Sequence, residues 1–241
     1  MTRAHPSPEN VHYMIGDIHG QIERLNALLD AIESRHQWKH PDQDGTLVFL
    51  GDYVDRGPDS KAVMERAMAG ISGFESVCLK GNHEDLMLRC LETDDRATWS
   101  TWTAVGGKPT LKSLGYDLER HGHSPSKLAD ALGPALLKWL DSLEVYYRHA
   151  DFVCVHAGLV PEVALQQQKD KDLMWIRGTF LDSSYDFGFG VIHGHTPSQY
   201  PEVKQNRIGI DTGAGFGGAL TALVVDRAWP DLIQDPTFIS V

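Results

Sequence analysis

Val11-His12-Tyr13-Met14-Ile15-Gly16-Asp17-Ile18-His19-Gly20 sets the pattern on which the chain is built. Val11–Ile15 is a short apolar run, read as a buried strand, and it ends abruptly on Gly16-Asp17. Gln21–Ser34 follows with Ile22, Leu25, Leu28, Leu29 and Ile32 on one helical face. The same unit returns twice. Thr46–Leu50 is a strand that stops at Gly51-Asp52 before a helix over Ser60–Ile71. Ser76–Leu79 is a strand that stops before Gly81-Asn82 and a helix over Glu84–Leu91. The stretch Thr93–Ser142 is less regular, with helices expected over Pro109–Leu114 and Pro134–Asp141. Strands dominate beyond it: Val145–Tyr147, Phe152–Val155, Gly190–Ile192, Ile208–Ile210 and Leu220–Val225. Strand–helix alternation followed by successive strands predicts an α/β fold, with a mixed sheet or two packed sheets and helices outside.

The 241 residues carry 33 Asp and Glu against 22 Lys and Arg, a formal net charge of -11, with 41% apolar and 23% charged residues. This is the composition of an ordinary globular protein, which excludes a mainly disordered, collagenous or coiled-coil chain. The length suits one domain over 1–241. The acidic balance speaks against a nucleic-acid partner or an anionic membrane face, since both need clustered Lys and Arg. It leaves room for one small positive pocket. There is no run of about 18 apolar residues, so no transmembrane helix is expected. Met1–Asn10 holds Arg3 and two prolines but no apolar run, unlike a secretory leader. Cys78, Cys90 and Cys154 are far apart and form no Cys-x-x-C. They predict buried free thiols, no thiolate zinc site and a reducing, cytoplasmic location.

Five strand ends carry a metal-capable side chain, four of them next to glycine: Gly16-Asp17, Gly51-Asp52, Gly81-Asn82, Val155-His156 and Gly194-His195. Ligands of α/β proteins bind beyond the carboxyl ends of strands, so these side chains are expected on one rim. Asp17 and His19, two apart on an extended or turning segment, point the same way and could grip one ion. Asp52, Asn82, His156 and His195 complete a set of six. Carboxylate, amide oxygen and imidazole without thiolate suit Mn²⁺, Fe or Zn²⁺. Six ligands exceed the need of one four-coordinate ion and match two ions that share a carboxylate and a water. Each motif alone is weak. Asp-x-His fits a turn with a surface histidine, Asn82 fits a helix cap, and His156 fits a packed core histidine. His193 reads as a packing residue or a support for a ligand. His5, His12, His36, His40, His121, His123 and His149 read as surface or packing residues. The conjunction of five segments in one chain is what points to a site.

Through Gly16-Asp17-Ile18-His19-Gly20, Gly51-Asp52-Tyr53-Val54-Asp55-Arg56-Gly57 and Gly81-Asn82-His83-Glu84, the chain resembles the PPP family of metallophosphoesterases, the metal-dependent serine/threonine protein phosphatases. Thirty residues separate the first two segments and twenty-three the next two. His156-Ala157-Gly158 and Gly194-His195-Thr196 complete the pattern. The resemblance covers residues 11–226 and is greatest to the short bacterial and phage members, the lambda-phage phosphatase among them. With only a short stretch after Val225, the C-terminal tail of eukaryotic relatives is not expected.

The resemblance implies a calcineurin-like metallophosphoesterase fold, mixed β-sheets packed as a sandwich with flanking helices. It implies two divalent ions, Mn²⁺ foremost and Fe or Zn²⁺ as alternatives. Asp17, His19 and Asp52 match the ligands of one ion. Asp52, Asn82, His156 and His195 match those of the other, with Asp52 bridging. His83 matches the general acid and Asp55 the carboxylate that orients it. Arg56 matches a phosphate-binding arginine, and Arg177 is the best match for a second. The implied reaction removes phosphate from phosphoserine or phosphothreonine, in a phosphoprotein or phosphopeptide, by direct attack of a hydroxide bridging the two ions. The alternative is symmetrical hydrolysis of diadenosine tetraphosphate, or of another nucleotide phosphoanhydride, at the same site. Thr196-Pro197 favours the protein-phosphatase side, because the dinucleotide hydrolases tend to carry Trp there. A non-catalytic phosphate sensor would be expected to lack a ligand or the acid, and none is missing. Trp99, Trp102 and Gly106-Gly107 are expected either to cap the site or to cover the sheet.

Overall fold

The computed structural model describes residues 10–149 and 151–241, so His5 lies outside the described residues. The strands in chain order are β1 (Asn10–Ile15), β2 (Asp44–Phe49), β3 (Phe74–Cys78), β4 (Tyr146–His149), β5 (Phe152–Val155), β6 (Gly190–His193), β7 (Glu202–Val203), β8 (Arg207–Gly209), β9 (Thr221–Val225) and β10 (Thr237–Ser240). The α-helices are α1 (Ile22–Lys39), α2 (Ser60–Ala69), α3 (Asn82–Glu92), α4 (Arg96–Trp102), α5 (Lys108–Ser113), α6 (Leu118–His121), α7 (Pro125–Asp141), α8 (Asp170–Trp175), α9 (Gly178–Leu181) and α10 (Trp229–Leu232). One sheet has the order β10-β9-β1-β2-β3 and the other β4-β5-β6-β8-β7. In the first, β1, β2 and β3 are parallel, β9 pairs antiparallel with β1, and β10 pairs antiparallel with β9. In the second, β5, β6 and β8 are parallel, with β4 and β7 antiparallel at the edges.

Side-chain alternation decides which layer each strand residue serves. Val11, Tyr13 and Ile15 of β1 face the helices and join the core that includes Leu25, Leu28 and Ile32 of α1. Met14 faces the other way and packs with Val48, Phe152, Cys154, Ile192 and Leu223, so residues of both sheets share one apolar layer. Val153, Val155 and Val191 present the outer face of the second sheet to Leu173 and Phe180. The result is a mixed-sheet sandwich with helices on its outer faces, as expected. Among the described residues, no helix is long and apolar enough to cross a membrane. Cys90 and Cys154 are buried, Cys78 is partly buried, and all three are free thiols.

Several boundaries differ from the sequence reading. α1 runs five residues past Ser34 to Lys39, because the His36 side chain is gripped by Tyr13 Oη at 3.0 Å and by Gln43 O at 3.0 Å. α7 starts at Pro125, not Pro134. Gly133 takes φ 74° and breaks the helix, and Pro134 opens its second piece, a position where its missing N–H costs nothing. The short strands β7 and β10 and the helices α4, α6, α8, α9 and α10 were not anticipated.

Candidate dinuclear metal centre

The parallel strands of both sheets end at one rim. The loop after β1 carries Asp17 and His19; the loop after β2 carries Asp52, Asp55 and Arg56; the first turn of α3, after β3, carries Asn82 and His83. From the second sheet, β5 ends beside His156, β6 beside His195, and β8 leads to Asp211. Asp17, His19, Asp52, Asp55, Asn82, His83, His156 and His195 are all buried. His19, Asp52, Asp55, Arg56 and His195 hold φ of 49°, 53°, 75°, 67° and 66°. Left-handed backbone of this kind costs a side-chain-bearing residue about 1–3 kcal/mol and clusters at functional sites. Glycine leaves room for the carboxylates: a Cβ on Gly81 would lie 2.1 Å from Asp52 Oδ1, and one on Gly194 would lie 2.0 Å from Asp17 Oδ1.

Ligand atoms of His19, Asp52 and His83 lie within 4.8 Å of one another, and so do those of Asp52, His156 and His195. Asp52 belongs to both groups. The proton positions suit cations. His156 Nδ1–H donates to Leu50 O at 2.8 Å, which leaves the Nε2 lone pair 2.9 Å from Asn82 Oδ1 and 3.5 Å from Asp52 Oδ1. Lone pairs that face each other with no proton between them repel, and a cation among them converts the repulsion into shared ligation. His19 repeats the device: Nδ1–H donates to Val54 O at 2.8 Å, and Nε2 faces Asp52 Oδ2 at 3.5 Å. His195 Nδ1 lies 2.8 Å from Asn82 Oδ1. Asp17 is held at the side of this cluster, where both its oxygens accept the His195 backbone N–H at 3.0 and 3.1 Å.

The titration of these groups separates two kinds of histidine. Burial pushes His19 down to about 3 and His195 down to about 2, and it lowers His156 as well, so these imidazoles are neutral. Burial also opposes a charge on His83, but Asp52 and the hydrogen bond to Asp55 outweigh it and raise its pKa. Burial works against the Asp52 carboxylate, yet His156, His83 and His19 around it hold it well below its usual range. Asp17 is raised by burial, Asp211 and Asp52.

His83 Nδ1 donates to Asp55 Oδ2 at 2.6 Å. Asp55 is fully buried and satisfied from all sides. Trp102 Nε1–H donates to both its oxygens at 3.0 Å, Thr110 Oγ1 donates to Oδ1 at 2.7 Å, and the Asp55 N–H reaches Ser60 Oγ and Thr110 Oγ1. Trp99 and Trp102 are therefore core residues and not a cap over the site. The irregular stretch acts from beneath. Glu84 is a second support that sequence reasoning missed. Its carboxylate accepts the N–H groups of Asp52, Tyr53, Val54 and Gly81 at 2.9, 2.8, 3.2 and 2.9 Å, fixing the Asp52 loop to the start of α3. Asp211, whose charge helps to raise the Asp17 pKa, was also missed; its place just after a strand was the available signal.

Both arginines reach the rim. The Arg56 guanidinium spans His19 Nε2 and His83 Nε2, and Phe216, largely exposed, lies with its ring centre 4.4 Å from it. Arg177 Nε donates to His195 Nε2 at 3.1 Å. His193 is the packing residue expected, buried, with Nε2 3.1 Å from Arg207.

This fold, and buried His and Asp groups that could hold metal ions, are those of a metal-dependent phosphoesterase. The chain belongs to the calcineurin-like phosphoesterase family, whose sequence profile matches residues 13–216. Hydrolases of this metallophosphoesterase family use divalent metals. Serine/threonine-protein phosphatase 1 of Salmonella typhimurium is 31% identical over 215 residues, covering 87% of this chain and 89% of that protein. Bis(5'-nucleosyl)-tetraphosphatase PrpE [asymmetrical] of Halalkalibacterium halodurans is 25% identical over 233 residues, covering 87% and 88%. The solved cold-active protein-tyrosine phosphatase of a psychrophile Shewanella sp. shares the fold with a TM-score of 0.58 at 16% identity, covering 91% of this chain and 76% of that one.

Proposed function

We propose that the chain is a phosphomonoesterase that removes phosphate from phosphoserine and phosphothreonine. The observation that carries this reading is the place of Asp52 between His19 on one side and His156 and His195 on the other, with the His83–Asp55 pair facing the same space. In this reading Asp17, His19 and Asp52 hold one divalent ion, and Asp52, Asn82, His156 and His195 hold the other. When bound, such ions supply Lewis acidity and a nucleophilic oxygen at neutral pH; the thiol-free ligands admit Mn²⁺, Fe or Zn²⁺.

The chain's own groups do the rest. Arg56 and Arg177 offer planar forks to the phosphoryl oxygens, a geometry lysine cannot reproduce. The water oxygen forms the new P–O bond as the P–O bond to the serine side chain breaks. Once Arg56 turns from His83 Nε2 to the phosphoryl oxygens, a protonated His83 gives its Nε2 proton to the departing oxygen, and Asp55 holds the Nδ1–H and steadies the ring. The products are inorganic phosphate and a free hydroxyl, with no phosphoenzyme. The apolar layer shared by both sheets supports treating 1–241 as one functional unit.

Phosphate release from phosphopeptides by the Mn²⁺-loaded protein tests the reading; no release from any phosphopeptide removes it. The tetraphosphatase relative favours a second reading, hydrolysis of dinucleoside polyphosphates. Chromatography of a diadenosine tetraphosphate digest distinguishes its forms: two ADP from symmetrical cleavage, ATP with AMP from asymmetrical cleavage.

A further inference from the structure

A cavity of about 500 Å³ opens beside the candidate centre, lined by Arg56, Pro58, Lys108, Pro109 and Lys112. Arg56 is common to both spaces. Lys108 and Lys112 are exposed, four apart on α5, and among the described residues neither has a carboxylate partner. Like charges at this helical spacing repel when nothing neutralises them. They stand together in a chain with eleven more acids than bases.

The lysines are fixed relative to Arg56. The Arg56 N–H donates to Gly106 O at 3.0 Å, and a Cβ on Gly106 would lie 2.8–2.9 Å from Arg56 atoms, so this turn lies directly against it. Four residues on, Thr110 of α5 is bonded to Asp55. The rest of the wall is Pro58 and Pro109, which carry no N–H to receive a peptide backbone. Three cations and two prolines offer charge without directional main-chain contacts, which suits a chain of phosphates continuing from the one held at Arg56.

We propose that Lys108 and Lys112 form a subsite for a second phosphoryl group of the same substrate, so that the site accepts phosphoanhydride chains as well as single phosphates. This rests on the phosphohydrolase reading of the centre and extends its substrate range. The test compares linear tripolyphosphate with p-nitrophenyl phosphate in the holoenzyme, with Mn²⁺ in excess. Lys108→Ala/Lys112→Ala is expected to raise the KM for tripolyphosphate at least tenfold relative to that for p-nitrophenyl phosphate. Lys39→Ala/Lys127→Ala, which removes the same charge elsewhere, leaves the ratio as in the parent. An unchanged ratio in the first variant overturns the proposal. So does a tenfold loss confined to a doubly phosphorylated peptide, or a parent protein that hydrolyses p-nitrophenyl phosphate but not tripolyphosphate. If the parent hydrolyses neither, the phosphohydrolase reading fails. Calorimetric titration with tripolyphosphate then still reads the subsite: tenfold weaker binding in the double variant upholds it, and no binding by the parent sinks it.

Discussion

His83 and His156 share one buried pocket and have opposite proton demands. His156 spends its Nδ1–H on Leu50 O and offers a lone pair, whereas His83 has Asp55 at Nδ1 and a raised pKa. If His83 is the proton donor, His83→Asn lowers kcat on a phosphoserine peptide by about 10²–10⁴. The loss is much smaller on p-nitrophenyl phosphate, whose leaving group needs no proton; equal losses on both substrates would assign His83 a different role. Gly194 marks the other limit of tolerance. Gly194→Ala places a methyl against the Asp17 carboxylate and is expected to weaken Mn²⁺ binding at least tenfold by calorimetry, with the far-UV circular dichroism retained.

At the scale of elements, the strand ends made the rim readable, since all but one of the candidate ligands follow a short apolar run within three residues, and His19 lies only four past the end of β1. What supports the rim was not readable in the same way. Trp102 and Thr110 reach Asp55 from 47 and 55 residues away, and no local pattern ties them to it. The left-handed backbone of Asp52 and Asp55 was hidden because those positions are not glycine. Trp102→Phe keeps an aromatic but smaller side chain and deletes the N–H, leaving a buried carboxylate short of one donor. A stability loss of about 1–3 kcal/mol in urea is expected, together with lower activity. β1 supplies a separate test. His12 Nε2 is bonded to Tyr147 Oη across the two sheets, and burial together with His149 lowers its pKa to about 4 from 6.5. The unfolded chain therefore binds the extra proton first. Stability is full above pH 6.5 and falls as the pH drops towards 4, by about 3 kcal/mol at most from this group. His12→Phe should flatten that part of the curve.

Over the whole molecule, the ligand set draws on both sheets, so bound ions would tie together two layers that otherwise meet through an apolar interface. Ions at about 1,000 times their dissociation constant add about 4 kcal/mol to stability. Chelation should lower the melting temperature, and Mn²⁺ should restore it in a concentration-dependent way; a melting temperature indifferent to chelator would mean the ligand groups do not hold metal in solution. The acidic surface and the basic cavity coexist because charge is sorted locally, which a net charge alone could not reveal. The contorted main chain at 19, 52, 55, 56 and 195 also bears on engineering. Any redesign that rewards local backbone comfort will try to install glycine at those five places, and each success on that score would delete a group the proposed chemistry needs. A thermally hardened version of this protein should therefore be sought in its helices and edge strands, with the rim frozen as found.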